Sequence, residues 1–303
     1  MTAVLESRAL AKRYGHTWAL RDCSFSLPVG HVVALVGPNG VGKSTLLHIA
    51  VGLTQPTDGT VSVLGNAAPS DPESLARVGF VAQSAPLYRT FSVADMLHLG
   101  GAMNPRWDDG YARGRLSRLG IPFERKISQL SGGQQAQVAL SLALAKRPEL
   151  LLLDEPVADL DPLARHEFMG ELMAAVAEHD LSVVLSSHAI AELERTCDYL
   201  VVMGAGKVKV AGEVAALVEE HLLLTGPVPT AAETAASRTV VRQSLAGRQA
   251  TLVMRGTSRR ALPPGWQERR LSLEELIVAY LREPEASALP GPQELIPESE
   301  TGR

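Results

Sequence analysis

The sequence predicts an α/β domain built on a largely parallel sheet, and three apolar runs carry that prediction. His31 to Val36 (HVVALV) opens into a Gly-rich turn, Leu150 to Leu153 (LLLL) ends in two acids, and Ser182 to Leu185 (SVVL) ends near a histidine. Continuous apolar runs of this kind suit strands covered on both faces. In each case the polar residues follow the carboxyl end of the strand, where open α/β sheets hold their ligands, so the three runs point to one site.

The remaining elements follow in order. Short β-rich runs alternate with helical stretches to about residue 212, and between Ser84 and about Gln129 the pattern turns helical, with two short helices around a Pro-containing break at NPRWD. This stretch reads as a helical subdomain inserted at about 84–146 into a unit spanning 1–212. Beyond Gly212, RTVVRQSLAG and RQATLVMRG resemble a hairpin and SLEELIVAYLRE a helix, which together predict a small α+β appendix over 213–283. From Pro284 to Arg303 the chain is rich in Pro and acids, and a disordered tail is expected.

The 303 residues leave ample surface to bury a core, and 46% hydrophobic with 20% charged residues places the chain among folded globular proteins. A formal net charge of −4 argues against the broad basic surface that a nucleic-acid partner needs. Cys23 and Cys197 are the only cysteines and lie far apart, so no disulfide framework or zinc site is expected. The opening MTAVLESRALAKRYG lacks the apolar stretch of a secretory signal. No window offers the roughly 20 apolar residues of a membrane-crossing helix. The expectation is a cytoplasmic protein that reaches a membrane only through a partner.

Chemistry concentrates in two places. Gly37 to Ser44 reads GPNGVGKS, matching G-x-x-x-x-G-K-[ST] directly after one predicted strand and at the start of a predicted helix. The glycines let backbone N–H groups turn toward phosphate oxygens, and the helix start adds its positive dipole end. Lys43 supplies a cation for the terminal phosphates, and Ser44 can hold Mg²⁺. The cradle comprises Gly37, Pro38, Asn39, Gly40, Val41, Gly42, Lys43, Ser44 and Thr45. The second place is LLLLDE, where a buried strand delivers Asp154 and Glu155. A carboxylate pair after a strand is often only a helix-start acid. Beside a phosphate loop, Asp154 becomes a magnesium partner, and Glu155 is placed to orient and polarise an attacking water.

Leu130 to Gln134 reads LSGGQ, and with it the chain resembles the ATP-binding cassette (ABC) family over about residues 3 to 212. Ser131, Gly132, Gly133 and Gln134 form a second anion-binding helix start, which the resemblance assigns to ATP held by the opposite subunit. The resemblance likewise implies that Gln83 in GFVAQ links magnesium and water to the helical subdomain. Asp161 in ADLDP corresponds to the D-loop aspartate, and His188 in LSSHAIAE to the switch histidine that senses the γ-phosphate. Tyr14 in KRYG is the candidate for stacking on adenine, with Trp18 second; either residue could instead be packed in a core. One departure stands out: Gln135, Ala136 and Gln137 occupy positions where the family often carries arginines. That departure, NPRWD and the closing LEELIVAYL are similar to export or resistance ATPases of Gram-positive bacteria.

The resemblance thus implies a P-loop NTPase core with an antiparallel β subdomain and a helical subdomain, using ATP and Mg²⁺. It implies a homodimer or heterodimer of ATPase subunits, bound at the inner face of the cell membrane to integral permease subunits, and export is the expected direction. A soluble ABC ATPase acting on nucleic acid or ribosomes would carry a long coiled-coil insert or two cassettes in one chain, and neither is present. A nucleotide-gated regulator without activity is the other alternative, and the intact Glu155 and His188 argue against it.

Overall fold

The computed structural model describes residues 3–83, 85–187, 193–236, 239–256, 262–283 and 286–289. Its centre is a six-stranded sheet in which β3 (Val32–Val36), β6 (Val78–Val81), β7 (Leu150–Asp154), β8 (Ser182–Ser187) and β9 (Tyr199–Gly204) run parallel. The antiparallel β10 (Lys207–Glu213) completes the edge, giving the order β10-β9-β3-β8-β7-β6. Every residue of β3, β7 and β8 is buried, as the unbroken apolar runs require. One face packs against α1 (Lys43–Ala50) and the antiparallel sheet, the other against α5 (Gly132–Ala145) and α6 (Pro162–Glu178).

The antiparallel sheet precedes and flanks this core. A long hairpin of β1 (Ala3–Tyr14) and β2 (Thr17–Pro28) joins β4 (Asp58–Val63) and β5 (Asn66–Ala67) in the order β2-β1-β4-β5. After the short α2 (Pro72–Ala76) and β6, the chain enters α3 (Val93–Met103) and α4 (Asp109–Arg118), which close a separate apolar cluster with Leu130 and Val138. The corner between them is NPRWD. Asn104 Nδ2 donates to the Gly100 carbonyl at 2.8 Å, Asp108 accepts from Tyr111 N at 2.8 Å, and Arg147 reaches back to Asp108 at 2.8 Å. A helix stop, a helix start and an ion pair to the end of α5 thus share one turn.

Downstream, α7 (Val214–Glu219), β11 (His221–Pro227), α8 (Ala231–Ala236), β12 (Thr239–Ala246), β13 (Gln249–Arg255), β14 (Gln267–Arg270) and α9 (Leu273–Arg282) form the α+β unit. The expected hairpin is present: Ala246 pairs with Gln249 across a tight turn in which Gly247 takes φ +59°. The period of 2 then sends Leu223 and Val253 toward α9 and the core sheet, while Leu224, Leu252 and Met254 form a cluster on the other face. Leu276, Ile277 and Tyr280 of α9 share one apolar cluster with Leu200, Val202 and Val210, so this unit packs against the six-stranded sheet.

Within the stretch from residue 284 that reads as a disordered tail, Ala288 is 1% exposed, donates to the Lys209 carbonyl at 2.7 Å and accepts from Ala211 N at 3.1 Å. These ladder bonds satisfy part of the β10 edge, and the composition gave no sign of them. The rest of that tail lies outside the described residues.

His221 is fully buried between α7 and α9. Its Nδ1 donates to the Leu217 carbonyl at 2.6 Å, so the neutral ring accepts from the Tyr280 hydroxyl at Nε2, 2.7 Å away. Burial pushes the imidazole below its ordinary 6.5 and the Tyr280 phenol up to about 12. The unfolded chain therefore takes up a proton here before the folded one. Stability from this site is complete above pH 6.5 and is lost as the pH falls toward the lowered value. Melting midpoints measured from about pH 8 to about pH 5 should fall more steeply in the parent than in His221→Asn.

Candidate functional site

The cradle follows β3 without a break. Val41 N donates to the Pro38 carbonyl at 3.3 Å, and the buried Val41 side chain anchors the loop to the core. Gly42 then takes φ +107°, and a Cβ there would lie 2.4 Å from the Ala19 carbonyl oxygen, so only glycine fits. Because the N-cap is this glycine, α1 starts with no side-chain cap. Its first N–H groups face the cleft as donors at the positive end of the helix.

Lys43 is 5% exposed. Its Nζ donates to the carbonyls of Gly37 at 2.8 Å and Pro38 at 3.3 Å, and it stands 3.3 Å from Glu155 Oε1. Two chain segments, the loop itself and the end of β7, therefore place one ammonium over the loop. A cleft of about 270 Å³ opens there, lined by Asn39, Gly40, Lys43, Ser44, Gln83 and Glu155 among others. Thr45 and Ala19 also line it. Gln83 follows β6, the far edge strand of the sheet, so the fold brings it to the cradle from across two intervening strands.

The acids are set by β8, which lies between the cradle strand β3 and the acid strand β7. Ser186 Oγ donates to Asp154 Oδ1 at 2.8 Å and accepts from Glu155 N at 2.8 Å; the Ser186 carbonyl takes the same N–H at 3.2 Å. Glu155 adopts φ +46°, a left-handed turn unusual for a non-glycine residue. That turn swings its carboxylate toward Lys43 while Asp154 stays buried behind. Ser186 and Ala19 are not among the motif residues. For Ser186 the available signal was a pair of serines ending an apolar run.

Other motif residues sit elsewhere. Ser131 and Gly132 are exposed and line no part of the cleft. Ser131 caps α5, accepting from Gln134 N at 3.2 Å while its own N–H donates to Gln134 Oε1 at 3.1 Å. Asp161 caps α6, accepting from Leu163 N and Ala164 N at 3.0 Å each. Tyr14 and Trp18 are 50% and 42% exposed at the end of the β1–β2 hairpin, with Lys12 over the Tyr14 ring and Arg13 over the Trp18 ring. Neither aromatic is packed in the core. His188 lies outside the described residues, just past the end of β8.

A magnesium ion fits this donor chemistry. Among the described residues no group of three His, Cys, Asp or Glu could hold a metal by itself. A hydroxyl, an amide and a carboxylate beside a phosphate cradle are what Mg²⁺ uses when it keeps waters and phosphate oxygens as its remaining ligands.

A Gly-rich cradle at the carboxyl edge of a parallel sheet, with a lysine inside it and acids from the next strand but one, defines a nucleoside triphosphatase of the P-loop class. Comparison with known proteins narrows this. A family model described as ABC transporter matches residues 20–158. The Nod factor export ATP-binding protein I of Rhizobium johnstonii is 34% identical over 224 residues, covering 72% of each chain. Its counterpart in Mesorhizobium japonicum is 33% identical over 227 residues, 73% of this chain, which spans just under two thirds (66%) of that relative's length. A solved structure of the ATP binding subunit of an ABC transporter matches 71% of this chain and 92% of its own, with TM-score 0.63 and 28% identity. The chain belongs to the ATP-binding subunits of ABC transporters, a family of ATPases.

Replacing Ser186 by Ala strips Asp154 Oδ1 of its donor and loosens the Glu155 turn. Steady-state ATP turnover should fall about 10- to 100-fold while nucleotide binding at the cradle persists. Equal loss of both would show that Ser186 serves the loop rather than the acids.

Proposed function

We propose that this chain is the ATP-hydrolysing motor of an export system, working as a head-to-tail pair beneath separate membrane-spanning subunits. The observation that carries the reading is a division of labour. Cradle, Gln83 and Glu155 share one cleft, whereas the second anion-binding helix start, at Ser131, faces outward on the same chain. A γ-phosphate held by the cradle of one copy is then closed over by Ser131, Gly132, Gly133 and Gln134 of the other. Binding is thereby linked to association. The Nod factor relatives are named for export, which supports that direction. Among the described residues no helix is long and apolar enough to cross a membrane, which fits attachment to its inner face through permease partners.

Within the site, Lys43 and the N–H groups of α1 hold the phosphates and Glu155 orients the attacking water. Ser44, Gln83 and Asp154 would hold Mg²⁺, which neutralises charge on the β- and γ-phosphate oxygens when bound. Gln83, between the cleft and the helical subdomain of about 84–146, passes the nucleotide state toward the permease. Asp161 and His188 contribute at the border of the paired chains, and Tyr14 stacks on adenine.

Glu155→Gln tests this directly. The variant should bind ATP normally, lose turnover by about 10²-fold or more, and run as an ATP-dependent dimer in size-exclusion chromatography. Near-normal turnover would remove Glu155 from its role, and a monomer at saturating ATP would remove the paired site.

A further inference from the structure

The signature helix α5 lacks the family's arginines, and the structure shows a guanidinium delivered to it from another helix. Arg115 of α4 is 1% exposed, the largest fully buried side chain in the molecule's described residues. Its Nη2 donates to Gln137 Oε1 at 2.9 Å and its Nε to Ser141 Oγ at 3.1 Å, both on α5. Its Nη1 donates to Glu171 Oε2 of α6 at 2.7 Å. Nη1 also donates to the Glu171 carbonyl at 3.4 Å, and Ser141 Oγ in turn donates to the Gln137 carbonyl at 2.7 Å. Gln137 stands where the family often has arginine, and here it is the acceptor.

The two helices Arg115 clamps are the ones that begin at Ser131 and Asp161. They also touch at those ends: a Cβ on Gly133 would lie 2.8 Å from Ala164 Cβ, so α5 and α6 approach too closely there to slide independently. A mid-helix clamp and a close contact at the start together fix the angle between the helices. We propose that Arg115 is a positioning residue for the two-chain nucleotide site, presenting Ser131 and Asp161 to the second copy as one rigid edge. This rests on the paired reading above. Because Arg115 does not line the cleft and its hydrogen bonds go to α5 and α6, it acts on closure of the pair and not on nucleotide capture by a single chain.

The test uses the full chain carrying Glu155→Gln, comparing Arg115→Met, Arg115→Lys and the swap of Arg115→Gln with Gln137→Arg. Two quantities are read: the ATP concentration that half-maximally drives dimerisation in sedimentation velocity, and the affinity of the dilute monomer for a fluorescent ATP analogue. Arg115→Met should raise the first about tenfold and leave the second within about twofold. Arg115→Lys, which keeps the charge but not the fork, should fall between parent and Met and carries the test if Met does not fold. The swap, returning a guanidinium to the same buried space, should recover most of the loss. Half-maximal ATP within about twofold of the parent in both Met and Lys overturns the proposal. So does an equal loss of monomer affinity, or a swap no better than Met. A parent that fails to dimerise removes the paired reading and this one with it, and is distinguished by the parent alone.

Discussion

The phosphate cradle depends on a helix start positioned by backbone alone: with glycine as its N-cap α1 keeps all of its first N–H groups, where a side-chain cap would take up one or two of them. That constraint governs the centre of this molecule. Gly42 at φ +107° against the Ala19 carbonyl lets α1 begin uncapped, and the buried β3 and Val41 hold the loop so that Lys43 lies over it. The hairpin containing Ala19 is thus part of the phosphate site, although it contributes no charge to it.

The same chain holds a second helix start of the opposite kind. Ser131 caps α5 through a reciprocal box with Gln134, so that this terminus is stable while facing solvent. A separate device sets the acids: Ser186, on the strand between β3 and β7, holds Asp154 and the Glu155 turn at once. Arg115 then ties the helices that begin at Ser131 and Asp161 to one another. On the proposed reading, the cradle of one copy meets the signature helix start of another.

Much of this was legible because it is written in contiguous residues. HVVALV, LLLL and SVVL appear as buried strands, GPNGVGKS as the turn into α1, and LSGGQ as a helix start. The hairpin of RTVVRQSLAG and RQATLVMRG also appears, because alternation and a Gly turn are local signals. What escaped depends on contacts far apart in sequence. Ser186, Ala19 and Arg115 gain their roles only when β8, β2 and α4 are set beside their neighbours. The docked Ala288 was hidden by a Pro-rich, acidic context that reads as disorder, whereas two backbone bonds to β10 need no particular composition.

The most direct measurement is a crystal structure of the full chain with ATP bound and hydrolysis blocked. The account predicts a two-fold pair in which Ser131 Oγ of one copy lies at hydrogen-bond distance from the terminal phosphate held by Lys43 of the other. A nucleotide enclosed by groups of one chain only, with Ser131 facing solvent in both copies, would contradict it.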